Sequence, residues 1–434
     1  MATRFRGSIL MISLHGYVGA HVELGKPDTG GQVVFVLELA KHFTSLGYKV
    51  DVVTRQFENQ PTTDPIMRGL RVWRIPFGGE AFIRKEDMHD YIGDFVANFL
   101  AAARSHRLKY DIVNSHYWDA GWGGQRIAEE LQIPHVHTPH SLGWWKQQEM
   151  ADRDPEELAT YRFEERYRKE FLIYRNCDHV IATSPQQVEI LTEQYGVPVD
   201  HITTIPPGID ESRYTPVAPQ ELAATRERLG FKPNDVYAVG RAAENKGYDL
   251  LIRALPSLRR LVHDARLVLA VGGNAEADQA LVAEWRELAD ELGVGEHIRW
   301  LGYVADEEMA DHYRAAGVYA LPSRYEPFGM TAVEAMACGT PAVLTVHGGL
   351  HEAIDFGTHA LYADPERCEE FAAVLAMPLL YPHLREKLSV EGARFARRQF
   401  GWTGIAKRTL LVFDQFRGRY AIEGVEEAQT LVRR

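Results

Sequence analysis

The chain has 434 residues, 45% apolar and 25% charged, too long for one ordinary core and suited to two large α/β domains. A formal charge of −12 argues against non-specific nucleic-acid binding, and no run of about 18 apolar residues offers a membrane-spanning helix. Three widely spaced cysteines, Cys177, Cys338 and Cys368, form no CxxC pair; they point to a reducing, cytoplasmic setting and to no structural zinc.

The opening stretch MATRFRGSILMISLHGY lacks a small-residue cleavage site and reads as a first β-strand rather than a secretory signal. β-branched runs at 8–14, 48–54, 70–75, 110–115, 134–138 and 178–184 predict six strands separated by helical patterns. ITTIPPGIDESRYTP (202–216) breaks that alternation and is read as a hinge, which ends a first domain over residues 1–210. Six more runs, at 236–241, 265–273, 298–304, 317–323, 341–346 and 359–364, predict a second domain over 211–400. The final segment, 401–434, carries an amphipathic stretch (402–424) expected to cross back over the domain boundary. Two such series imply two doubly wound, Rossmann-like parallel sheets. Ligands bind at the carboxyl ends of such strands, so facing domains would enclose an interdomain cleft.

LGKPDTGGQVVFVLELAKHF (24–43) places Gly30 and Gly31, preceded by Lys26 and Asp28, directly before an apolar helix. Free N–H groups at a helix start attract an anion, and missing Cβ atoms let it approach the backbone; a plain turn explains an isolated Gly-Gly equally well. Asp51 lies at dinucleotide-fingerprint distance from Gly31, but the G-x-G-x-x-G pattern is missing and Asp51 falls inside its strand run. No Walker A sequence occurs either.

In GRAAENKGYDLL (240–251), Arg241 follows a strand and Lys246 precedes a helix, one fixed and one flexible cation suited to a diphosphate. SRYEPFGMTAVEAMACGTPAVLT (323–345) is more specific. Glu326 and Glu334 flank Pro327-Phe328-Gly329 at a helix start. The amides of Phe328, Gly329, Met330 and Thr331 can cap phosphate oxygens there, and Glu334 can accept both hydroxyls of a ribose. Gly348-Gly349 in HGGLHEAI repeats the anion logic.

The E-x7-E element, the GRAAENKG loop and the TGGQ loop resemble those of the retaining glycosyltransferases of family 4, which have the GT-B fold, and the likeness covers nearly the whole chain. ELGKPDTGGQVVFVLELA, SHYWDAG, HSLGWWK, GYVADEEMADHYRAA and TVHGGL look most like the branch that glycosylates hexose phosphates. The resemblance implies transfer of a hexose from a nucleotide sugar to a hexose phosphate, without a protein nucleophile or a metal. It assigns donor contacts to Gly31, Arg241, Lys246, Glu326, Phe328, Gly329, Met330, Thr331 and Glu334. Arg241 and Lys246 would neutralise the leaving diphosphate, Glu326 face the donor sugar, and His140 in HTPHSLG bond a sugar hydroxyl or the reacting centre. Gln32 would sit beside the acceptor, Tyr117 and Asp119 contact its hydroxyls, and Lys85, Lys146 and Arg166 bind its phosphate. The chain lacks the phosphatase domain of longer relatives, so a separate phosphatase is expected to act on the product. A lipid acceptor would need a basic amphipathic helix, for which AAARSHRLKY (101–110) is a weak candidate. A non-catalytic sugar-nucleotide sensor would have no use for the acceptor cations. Trp118, Trp122, Trp144 and Trp145 read mainly as core.

Overall fold

The computed structural model describes residues 5–20, 28–29, 31–150, 155–272, 276–326 and 328–417. The chain divides into two units. One runs to Pro207 and takes back the segment from Trp402; the other is Gly208–Gly401.

In the first unit, eight strands form one sheet: β1 (Ser8–Ile12), β2 (Lys49–Gln56), β3 (Thr63–Met67), β4 (Leu70–Pro76), β5 (Ile112–His116), β6 (His135–Thr138), β7 (His179–Ala182) and β8 (Ile202–Thr204). Their order is β3-β4-β2-β1-β5-β6-β7-β8, parallel throughout except for β3. The inner strands are apolar on both faces because both are covered. Ile9, Met11, Val50 and Val52 pack under the helices Gly31–Ser45 and Trp402–Phe416, whereas Leu10, Ile12, Val53 and Val113 join the core on the other face. The terminal helix seats Trp402 against Phe35 and Phe413 against Phe43, with ring centroids 5.2 and 5.6 Å apart. Residues 418–424 of the predicted stretch lie outside the described residues.

Two strands escape the sequence reading. β3 alternates exposed and half-buried positions and contains Pro65, beside which its register with β4 shifts, as suits an antiparallel edge. β8 is three residues long and runs into the Pro-Pro-Gly of the presumed hinge. Asp51 is structural: buried in β2, it takes Arg71 at 2.7 Å and the Tyr110 hydroxyl at 2.6 Å. Trp118 is buried, and Trp122, Trp144 and Trp145 pack against the same core. The 101–110 stretch begins on the helix Ile92–Ser105, whose Phe95, Phe99, Leu100 and Ala103 are buried in the domain.

The second unit holds β9 (Asp235–Gly240), β10 (Arg266–Val271), β11 (Ile298–Trp300), β12 (Val318–Ala320), β13 (Ala342–Thr345) and β14 (Leu361–Ala363), all parallel in the order β11-β10-β9-β12-β13-β14. Chain direction across the sheet reverses between β1 and β5 in the first unit and between β9 and β12 in the second. Crevices open at such switch points. His15, Tyr117 and His140 follow β1, β5 and β6; Arg241, Glu326 and Gly348 follow β9, β12 and β13.

Candidate functional site

At the first switch point lies a cavity of about 870 Å³, within the usual size of a small-molecule site. Its walls bring together Gly31, Gln32, Lys85, Tyr117, His140, Lys146 and Arg166, seven residues singled out from sequence. A Cβ built on Gly31 would meet nothing within 4 Å, so packing does not require this glycine; open space lies in front of it. Gly30 and Lys26 lie outside the described residues. Gln32 is held by its own amide, which donates to Ser13 Oγ at 3.2 Å and to the His116 carbonyl at 3.4 Å.

The lining carries four cations, Arg84, Lys85, Lys146 and Arg166, against two carboxylates, Asp28 and Glu86, in a chain that is acidic overall. Two of the predicted phosphate ligands, Lys85 and Arg166, are ion-paired within the protein. Lys85 bonds Asp28 and lies 3.0 Å from Glu86. Burial works against its charge, but the Asp28 bond and the two carboxylates outweigh it and raise its pKa above the ordinary lysine value. Arg166 is buried and donates to Glu170 at 2.8 Å and to the Ser141 carbonyl at 2.9 Å. Glu170, fully buried, also takes the Gly143 amide at 2.9 Å. A Cβ on Gly143 would lie 2.8 Å from that carboxylate. The Arg166–Glu170 pair therefore clamps the start of the helix Gly143–Glu149, which carries the half-buried Lys146 to the cavity.

Asp119 also needs correction. It is fully buried, and its carboxylate accepts from His15 Nδ1 at 2.8 Å and from the Ala120 amide at 2.6 Å. It orients His15, which lines the cavity, and has no surface left for an acceptor. The sequence reading missed His15; its place in LHGY, just past a strand, was the available signal. Ser141, beside His140 in HSLGWWK, was passed over, and Arg84 and Tyr161, also on the wall, sit in loop or turn positions. Burial pushes the Tyr117 hydroxyl up to about 12, so it stays a neutral donor and acceptor.

In the second unit, Lys246 Nζ lies 2.6 Å from Glu326 Oε2, to which Ser323 Oγ is also hydrogen-bonded at 3.3 Å. The two candidates form one ion pair rather than separate groups. An ammonium has three donors, so Glu326 leaves Lys246 two. Arg241, next after β9, is exposed and has no ion-pair partner among the described residues. Gly329 adopts φ +99° before the helix Met330–Ala337; the Ala332 and Val333 N–H groups return to the Gly329 carbonyl, and those of Met330 and Thr331 have no acceptor within the helix. Phe328 packs on Phe400 with centroids 5.4 Å apart, and Thr331 Oγ1 takes the Tyr319 hydroxyl at 2.8 Å. Pro327 lies outside the described residues. Glu334 is half-buried and accepts from the Tyr313 hydroxyl at 2.8 Å. Burial, then the charge of Asp306, pushes its pKa up to about 7 against the pull of Tyr313, Arg213 and Tyr214. At Gly348 a Cβ would lie 2.5 Å from the Glu326 carbonyl, so the close approach of that backbone by itself calls for a glycine. Among the described residues no three His, Cys, Asp or Glu side chains are grouped to hold a metal ion, and no helix is long and apolar enough to cross a membrane.

Two Rossmann-like parallel sheets, with anion-suited groups at both switch points, define a GT-B glycosyltransferase, and the chain belongs to glycosyltransferase family 4. The model described as Glycosyltransferase Family 4 matches residues 29–213, and that described as Glycosyl transferases group 1 matches residues 223–395. The chain is 48% identical to the mannosylfructose-phosphate synthase of Agrobacterium fabrum, over 97% of its own length and 93% of that relative. It is 33% identical to the D-inositol 3-phosphate glycosyltransferase of Xylanimonas cellulosilytica, over 94% of this chain and 96% of the other. The solved sucrose-phosphate synthase of Thermosynechococcus elongatus superposes with a TM-score of 0.70 at 30% identity, covering 94% of this chain and 99% of that one.

Proposed function

We propose that this enzyme transfers a hexose from a nucleotide sugar to fructose 6-phosphate with retention at the anomeric carbon, giving a product of the mannosylfructose-phosphate or sucrose-phosphate type. The observation that carries this reading is the first-unit cavity. It joins a cationic side, Lys85, Lys146 and Arg84, to polar and aromatic groups suited to sugar hydroxyls, His15, His140 and Tyr117. The 48% identity to a mannosylfructose-phosphate synthase supports GDP-mannose as donor, with UDP-, GDP- and ADP-glucose as the other candidates.

In this mechanism the bond from the anomeric carbon to the diphosphate oxygen breaks while the acceptor hydroxyl bonds that carbon from the same face. The acceptor's proton passes to the departing diphosphate, so no protein base or nucleophile is used. The protein contributes electrostatics and position. Arg241 and the two spare donors of Lys246 meet the charge that builds on the diphosphate, and Glu326 holds that ammonium in place. The amides of Phe328 to Thr331 cap phosphate oxygens, and Glu334 takes the ribose hydroxyls. No metal takes part. The reaction runs in the cytoplasm, and a separate phosphatase frees the product from its phosphate.

One activity panel tests the proposal: GDP-mannose, GDP-glucose, UDP-glucose and ADP-glucose, each with fructose 6-phosphate, glucose 6-phosphate, inositol phosphate and free fructose. Transfer to fructose 6-phosphate well above free fructose is expected, and is to persist in chelator. Preference for inositol phosphate would move the enzyme to the second relative's acceptor class, a reading that the 33% identity supports. Equal use of free fructose refutes the phosphate reading.

A further inference from the structure

One hydrogen-bond chain in the cavity wall has a direction that chemistry alone fixes. Asn114 and His116 alternate along β5 and project to the same face of the sheet. The buried Asn114 amide nitrogen donates to the Val136 carbonyl at 3.2 Å, which turns its oxygen to His116 Nε2 at 2.9 Å. A flipped amide would set oxygen against oxygen at Val136. The carboxamide oxygen only accepts, so His116 carries its proton on Nε2 and offers a lone pair at Nδ1. His140 Nε2 lies 2.9 Å from that lone pair and must be the donor. His140 Nδ1 is left as an acceptor, with no partner among the described residues. Burial, with His15 adding to it, depresses the His140 pKa to about 3. His116 is driven well below the ordinary value by burial and by the charges of His140 and His137. Both rings are therefore neutral at working pH. Phe35 closes edge-on against the His140 ring at 4.9 Å, and Gln187 Nε2 donates to the His140 carbonyl at 3.1 Å.

We propose that Asn114 and His116 are positioning residues that lock His140 in its Nε2–H tautomer, so that it meets a sugar hydroxyl as an acceptor at Nδ1. His140 then cannot deliver a proton to the departing diphosphate; it orients a hydroxyl that donates to it. The purpose assigned to the lock rests on the sugar-transfer reading above, whereas the tautomer itself does not.

The test uses the full chain with ¹⁵N-labelled histidine. Two-bond ¹H–¹⁵N spectra separate protonated from bare ring nitrogens, and His140→Gln assigns the His140 signals. We expect His116 and His140 both as Nε2–H tautomers at pH 7, without titration down to pH 5. Asn114→Leu frees His116 to turn its proton round. His140 should then show a tautomer mixture, and kcat should fall by about tenfold or more with KM changed by less than about threefold. A His140 that is Nδ1–H or doubly protonated in the wild type overturns the proposal, as does an Asn114→Leu protein whose His140 keeps a pure Nε2–H signal. If the leucine variant does not fold, the wild-type spectrum decides. The expected tautomers in a protein that transfers no sugar uphold the lock and refute the sugar-transfer reading instead.

Discussion

If Glu334 takes the ribose hydroxyls as proposed, nucleotide binding is tied to pH. The Glu334 pKa near 7 means that about half of the molecules carry a protonated carboxyl at neutral pH. A ribose presents two hydroxyl donors, and only the ionised carboxylate can take both. Bound nucleotide should therefore draw the pKa back to the ordinary range near 4.3. At pH 6 the free group is about nine-tenths protonated and the bound one almost bare, so binding should release about 0.9 proton; at pH 8 the figure is about 0.1. The same linkage makes apparent affinity about tenfold higher at pH 8 than at pH 6. A nucleotide sugar is the right probe, because its diphosphate is esterified at both ends and does not titrate in this range. Calorimetry in two buffers of different ionisation enthalpy, at pH 6, 7 and 8, counts the protons. Glu334→Gln should bind more weakly at pH 8 and show neither proton release nor pH dependence. Equal affinity at pH 6 and 8 in the wild type, or the same proton release in the glutamine variant, refutes the ribose role.

Other substitutions separate binding from packing. Gly31→Ala meets open space, so the melting temperature should hold or rise by the equivalent of up to about 1 kcal/mol. Transfer should nonetheless fall about tenfold, since the new methyl group occupies ligand space; an unchanged rate would mean that no ligand approaches there. Lys85→Met leaves Asp28 and Glu86 facing the cavity without their cation and should raise KM for hexose phosphate about tenfold in initial-rate assays, with little effect on free fructose. Arg166→Met strands the fully buried Glu170 charge and should cost about 3 to 5 kcal/mol in denaturant melts, a loss that added substrate does not repair. Glu334 has a folded pKa above its ordinary 4.5, so folding takes up a proton and wild-type stability falls as pH rises from there towards 7. Glu334→Gln should therefore melt with the wild type at pH 4 and gain up to about 3 kcal/mol on it above pH 7.

The sheets were legible because buried parallel strands are runs of β-branched residues, as in KVDVVT and RLVLAV, and such runs have few other readings. β3 was not, because an edge strand with a proline inside it carries exposed, mixed residues. Cationic candidates could be found by motif, but not their partners. The i,i+4 spacing in RYRKE does offer the Arg166–Glu170 pair on one helix, but nothing local in HSLGWWK shows that Gly143 is a glycine because that carboxylate lies against it. Asp119 misled for the same reason: a polar residue in a motif reads as a ligand until the buried histidine it serves is seen. His15 and the Asn114–His116–His140 chain come from three strands and meet only once β1, β5 and β6 lie side by side.

Backbone strain makes an independent case for the cavity. Eight non-glycine residues have positive φ among the described residues, and three of them, Asp28 (+52°), Tyr117 (+77°) and His140 (+60°), line this one cavity. Each such conformation costs on the order of 1 to 3 kcal/mol, most for a bulky ring such as Tyr117. It persists only where the surroundings over-determine it. Here Asp28 is fixed by Lys85, Tyr117 lies under the Arg166 guanidinium at 4.8 Å, and His140 is held by His116 and Gln187. Tyr117 and His140 both stand just beyond strand ends, where an ordinary conformation would continue the chain and carry the side chain past the crevice. The left-handed kink turns the chain at the strand mouth instead. The buried Arg166–Glu170 and His15–Asp119 pairs thus have a use: they hold the strained frame that presents His15, Tyr117 and His140 to the cavity.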